Sequence, residues 1–221
     1  MVSIHKLVRS KRRTIALVIE RDGTLTVRAP LRMAEAEVRR FVEAKSDWIE
    51  RKQAQAAEDA VVPHRFVEGE QFPFLGKLLP LRLVPDLRPA LVMDGDGFRL
   101  SRSRQPDGRA LLVAWYRAQA RAVIAARVEY FARSHNFKPI KLRISSARTR
   151  WGSCSRAGTL SFPWRLVMAP PEVVDYVVVH ELAHLREMNH SRAFWALVGA
   201  MLPDYKQRRA WLKKNGSALQ L

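Results

Sequence analysis

Cysteine is nearly missing from this chain: of 221 residues, Cys154 is the sole example. A lone thiol excludes an intramolecular disulfide framework and fits a reducing compartment, so a cytoplasmic protein is expected. Long apolar runs are missing too. None approaches the eighteen residues of a membrane span, and the basic stretch Met1 to Arg13 has no apolar core of the kind a secretory signal carries. Acidic side chains are scarce, 21 Asp plus Glu against 39 Lys plus Arg, for a net charge of +18. What the chain does have is 48% apolar residues and six Trp. That composition excludes a largely disordered chain and supplies a core for one large domain or two small ones.

The charge is unevenly placed. Residues 1–100 carry a net +4, residues 101–221 a net +14, and the segment 101–156 alone a net +11. Such a field attracts polyanions, and Arg outnumbers Lys 29 to 10, which suits bidentate phosphate contacts. The segment is therefore a candidate surface for nucleic acid or for a phosphorylated small molecule.

The patterning is that of an α+β protein. Thr14 to Ile19 and Thr24 to Arg28 read as a hairpin around Asp22-Gly23, and Met33 to about Ala57 as one helix. Phe66 to Leu100 is a second β-rich stretch. Asp94-Gly95-Asp96-Gly97 lacks the twelfth-position Glu of a calcium loop, since Gln105 stands there, and reads as a turn. Polar, punctuated Ser101 to Gly108 is the expected domain boundary, giving a β-rich N-terminal region 1–104 and a catalytic domain 105–221. A long helix from about Ala110 to Ser134 follows. Short strands then lie between Ile140 and Phe162, and a helix opens at Pro170-Pro171. Further helices start at Ser191 and end at Asn215-Gly216.

Three of the six histidines fall within eleven positions: His180-Glu181-Leu182-Ala183-His184, then His190. Residues four apart lie on one helical face, so His180 and His184 can ligate one ion. Glu181 sits beside that pair, where its carboxylate can reach an activated water without binding the metal. This is the H-E-x-x-H arrangement of zinc peptidases, with Glu as general base. Two residues compete to be the third ligand. Glu187 shares the face of His180 but lies about 10.5 Å away along an ideal helix. His190 has the offset of the third histidine in H-E-x-x-H-x-x-G-x-x-H enzymes, with Asn189 available for the turn; His190 is preferred. A structural site would want four protein ligands, and three are found.

The run Arg150-Trp151-Gly152-Ser153-Cys154-Ser155 comes first, then Trp164-Arg165-Leu166, Ala169-Pro170 and Asp175 to Val179. The H-E-L-A-H core, Asn189-His190-Ser191, Phe194-Trp195, Pro203 to Lys206 and Trp211-Leu212 follow. Together they resemble the YgjP-like metallopeptidase domain family, relatives of the SprT-like and WLM-type zinc peptidases. The match is dense over residues 148–214. The resemblance implies a zincin-like C-terminal metallohydrolase half, ligands at His180, His184 and His190, and Glu181 as base. It also implies zinc, or another divalent transition metal, as cofactor. Where the family has Asn before Trp-Arg-Leu, this chain has Pro163.

Arg148, Arg150 and Arg165 flank the strand that zincins place beside the metal, and are candidates to grip a substrate carboxylate or phosphate. Cys154 has no assignable catalytic partner. The function expected is metal-dependent hydrolysis of a peptide bond, with Glu181 moving the proton. Two alternatives stand: a nucleotide phosphoanhydride hydrolase, and a nucleic-acid-associated protein whose metal site is weakly active.

Overall fold

The computed structural model describes residues 2–20, 22–58 and 64–221. It divides into two compact units, Met1–Val62 and Pro63–Leu221, each with its own core.

In the first unit, β2 (Ala16–Ile19) and β3 (Leu25–Pro30) form the expected antiparallel hairpin. Gly23 adopts φ 81°, and the Asp22 carboxylate accepts from the Thr24 amide at 3.0 Å. An additional strand, β1 (Lys6–Ser10), runs parallel to β3 on its other side. Its basic residues and largely exposed faces gave no apolar alternation to read. The single helix expected from Met33 is two, α1 (Glu35–Glu43) and α2 (Ser46–Glu58), with a break at Ala44–Lys45. Val38, Val42 and Ile49 from these helices are buried with Leu25, Val27 and Ala29 of β3.

In the second unit, β4 (Gln71–Phe74), β5 (Lys77–Val84), β6 (Leu91–Met93) and β7 (Phe98–Ser101) form a sheet of order β4-β5-β7-β6. A 3-10 turn over Arg102–Asp107 leads directly into α3 (Gly108–Ser134). Phe74 and Phe98 pack against Trp115 of α3 at ring-centroid distances of 4.9 and 4.7 Å. Tyr116 of α3 donates its hydroxyl to the Pro73 carbonyl at 2.7 Å. The sheet therefore shares a core with α3. The break in the chain falls after Val62, not at the expected boundary between 104 and 105. Ser101 to Gly108 is a tight connection inside one unit, and punctuation marks a turn there rather than a loss of contacts.

Three further strands, β8 (Lys141–Ser145), β9 (Ser153–Cys154) and β10 (Thr159–Pro163), form a sheet of order β8-β10-β9. Within it β10 runs parallel to β8 and antiparallel to β9. Pro163 ends β10, where a missing N–H is tolerated. The remaining helices are α4 (Pro171–Ala183), α5 (Arg192–Met201) and α6 (Tyr205–Asn215). No helix among the described residues is long and apolar enough to cross a membrane.

Helix α4 is the pivot. Pro171 opens it at N1, and Val173, Val174, Tyr176 to Val179 and Leu182 are buried on several faces. Asp175 accepts from Nε and Nη2 of Arg127 on α3, at 2.5 and 2.9 Å. Arg208 of α6 donates to the Glu172 carbonyl at 2.9 Å. These contacts fix the axial position and rotation of α4, and with them the side chains at its C-terminal end.

Candidate metal centre

The last turn of α4 carries His180 and Glu181, and His184 is its C-cap. The rings of His180 and His184 have centroids 5.0 Å apart, as neighbours one helical turn apart should. Past His184 the chain turns through backbone bonds from Leu185, Arg186 and Glu187 to the carbonyls of Leu182 and Ala183. Asn189, expected to make this turn in a left-handed conformation, is not among the positive-φ residues; the reversal is made by right-handed turns before it. His190 then comes back over the helix end. Immediately after it, Ser191 caps α5 by accepting the Phe194 amide at 3.2 Å.

One ligand atom from each of His180, His184 and His190 lies within 4.8 Å of the other two. Nε2 of His190 and Nε2 of His180 are 3.1 Å apart, close to the spacing of two nitrogens about 2.0–2.1 Å from a shared tetrahedral ion. The Nδ1 of His184 faces the Glu187 carbonyl at 2.9 Å. That bond places the proton on Nδ1 and leaves Nε2 to bind. Glu187, the competitor for third place, thus contributes its main-chain oxygen, and its carboxylate is not part of the cluster. The donor set is nitrogen only, and it fits a borderline ion such as zinc.

The rings rest on Phe194, which is fully buried, with centroids 4.9, 4.6 and 4.8 Å from His180, His184 and His190. Trp195 lies nearly parallel to His190, at 5.7 Å and 22°. Burial, and then the neighbouring His184, His190 and Arg209, push the His180 pKa down to about 3. His190 is lowered as well, by burial, His184 and Arg209. In His180 and His190 these shifts favour the neutral imidazole, the form that binds a metal.

Glu181 is 5% exposed. Its Oε2 is buried without a hydrogen-bond partner, as is Nδ1 of His180. Burial raises the Glu181 pKa to about 8, with the charge of Arg150 pulling the other way. A raised pKa makes Glu181, once deprotonated, a stronger proton acceptor than an exposed carboxylate, with Oε2 open to a donor. Gly152 abuts it so closely that a Cβ there would collide with Oε1, Cγ and Cδ of Glu181.

These groups line an open cleft of about 260 Å³. Gly152, Ser153 and Cys154 form one wall, His180, Glu181 and His184 the floor, and Met188 and His190 the other side. The Cys154 thiol is raised by burial and by the Glu181 charge, which disfavours a nucleophilic thiolate. Of the three arginines singled out from the sequence, Arg150 and Arg148 are exposed just before this wall. Arg165 is buried, stacks over Trp164 at 4.1 Å and donates to the Ser146 carbonyl at 3.5 Å, and it does not line the cleft. Phe194, Trp195 and Arg209 were not legible as parts of the site: they arrive from later helices, and only packing reveals them.

Comparison with known proteins places these features in context. The chain is 46% identical over 48 residues to the UTP pyrophosphatase of Escherichia coli (strain K12), a match that spans 20% of this chain and 29% of that protein. It is also similar to the crystal structure of the metallopeptidase zymogen of Pyrococcus abyssi abylysin, at 23% identity and a TM-score of 0.37 over 41% of this chain and 93% of that one. A superposition that loose says nothing about the site. The model of the YgjP-like, metallopeptidase domain family aligns with residues 13–215, nearly the whole length and both compact units, and the chain belongs to that family.

Proposed function

We propose that the protein is a zinc-dependent hydrolase in which His180, His184 and His190 hold the ion and Glu181 is the general base. The observation that supports this most is the convergence of three imidazoles within 4.8 Å beside a buried carboxyl oxygen that has no partner. When bound, the ion supplies Lewis acidity, which acidifies water toward a pKa of ~7 and polarises the scissile bond. The protein's own groups do the rest. Phe194 and the Glu187 carbonyl fix the ring orientations. Glu181, through Oε2, accepts the proton of the attacking water and returns it to the leaving group. The Gly152 wall keeps Glu181 turned toward the cleft, because the carboxylate and that backbone are already in contact.

The substrate bond we favour is a peptide bond, in keeping with the family's description. A second reading, hydrolysis of a nucleotide phosphoanhydride, is favoured by the local match to a UTP pyrophosphatase. Arg150, exposed two residues before the Gly152 wall and without an ion pair among the described residues, adds to it. Assaying the zinc-loaded protein and its E181Q variant on an unstructured protein and on nucleoside triphosphates separates the two. The variant is expected to keep its metal and lose turnover on whichever substrate is genuine. Equal turnover in variant and wild type would remove Glu181 from the mechanism.

A further inference from the structure

Helix α6 carries two adjacent arginines with different surroundings. Arg208 is fully engaged, bonded to Asp204 at 2.9 Å and to the Glu172 carbonyl at 2.9 Å, with Asp175 at 3.9 Å. Arg209 is exposed and has no ion pair among the described residues. Its guanidinium carbon instead sits 4.8 Å from the ring centroid of Trp195. That indole lies 5.7 Å from the His190 ring and 5.8 Å from the His180 ring, and Tyr205 stacks on it at 5.4 Å and 15°. A cation–π contact fixes where a guanidinium lies yet uses none of its five N–H donors. Arg209 is therefore held one indole away from the ligand imidazoles, with no hydrogen bond or ion pair of its own among the described residues.

We propose that Arg209 is a substrate-recognition residue that receives a phosphoryl oxygen of a phosphoanhydride substrate. The assignment deepens the phosphoanhydride reading above and rests on it. Arg150, two residues before the Gly152 that touches Glu181, is likewise exposed and without an ion pair among the described residues. Two guanidiniums thus lie near the site, one close in sequence to the glycine that touches the base and one on the indole beside the ligand cluster. A neutral peptide backbone has no charge for them to meet, whereas a phosphate chain offers acceptors with the geometry a guanidinium fork matches.

The test titrates inorganic pyrophosphate into the full-length zinc-loaded protein, wild type against R209A and R209K. Metal content and melting temperature are measured in parallel. R209A is expected to bind pyrophosphate about 10- to 100-fold more weakly, the scale of a lost charge-assisted hydrogen bond. R209K, which keeps the charge and loses the fork, should fall between. On nucleoside triphosphate, R209A should raise KM more than it lowers kcat. Wild-type affinity for pyrophosphate in R209A would overturn the proposal. Should R209A lose metal or melt early, R209K decides: weaker pyrophosphate binding at full metal content supports the role, and unchanged binding removes it. Triphosphate turnover with a KM indifferent to R209A sinks the Arg209 assignment and leaves the phosphoanhydride reading standing. Arg209-dependent pyrophosphate binding without triphosphate turnover supports the anion contact and sinks that reading.

Discussion

At the scale of single residues, the contact between Gly152 and Glu181 makes the sharpest demand. The glycine is not in a left-handed conformation, so alanine suits its backbone, but the added methyl would occupy the space of the Glu181 carboxyl. G152A is expected to fold and to keep its zinc, with turnover reduced by ~10²–10⁴-fold, the range typical of general acid–base catalysis. Metal analysis alongside kinetics checks it; full activity would show that Glu181 does not need this position. The same carboxyl has a consequence for stability in the metal-free protein. Its pKa is raised from 4.5 to about 8 in the fold, so between these values the unfolded chain has released a proton the folded chain still holds. The contribution of Glu181 to stability is present below about pH 4.5 and is lost as pH rises to about 8. Chelator-treated wild type should therefore lose melting temperature relative to E181Q across that window. Parallel curves for the two proteins would contradict this. The placement of His180, Glu181 and His184 together at one helix end was legible because helical spacing is a local property. The choice between Glu187 and His190 was not, since it depends on where the helix ends.

At the scale of elements, the third candidate ligand, His190, depends on a helix that begins after it. Ser191 caps α5 through Phe194, and Phe194 is the surface on which all three imidazoles rest. S191A is expected to lower stability by about 0.5–2 kcal/mol and to weaken zinc binding, because His190 is the residue next to the lost cap. Thermal melts with and without zinc check both effects; unchanged zinc affinity would mean that the cap does not position His190. A second small device is the Glu70 carboxylate, which accepts the Arg65 and Val67 amides at 3.1 and 3.0 Å and faces Nδ1 of His64 at 2.8 Å. E70A removes the partner of two amides on exposed residues and of one half-buried imidazole, and a loss of about 0.5–1.5 kcal/mol is expected in denaturant melts. Most helices were readable from periodicity and from their proline or serine starts. The divided N-terminal helix and strand β1 were not: a two-residue break leaves the apolar stripe nearly in phase, and a basic edge strand has no apolar face to show.

For the molecule as a whole, the polar punctuation at Ser101 to Gly108 was misleading because local composition is blind to long-range packing. Phe74 and Phe98 meeting Trp115 is what joins the sheet to the catalytic elements. All residues of the candidate centre lie in the unit Pro63–Leu221. A chain beginning at His64 is therefore expected to melt cooperatively and to bind one zinc; failure to do so would show that the unit 1–62 is needed to build the site. The basic excess was legible as a number but not as a surface. Arg104 and Arg133 pair with Asp107 and Glu129, the two acids already counted in the +11 of segment 101–156, and Arg127 is held by Asp175 from outside the segment, which takes one more cation from a polyanion. The measurement that bears most directly on the central claim is zinc stoichiometry with turnover for wild type, H184A, H190A and E181Q in one preparation. The account predicts one zinc per chain in wild type and E181Q, zinc lost or greatly weakened in both histidine variants, and turnover in wild type alone. A full equivalent of zinc in H184A, or undiminished turnover in E181Q, would contradict it.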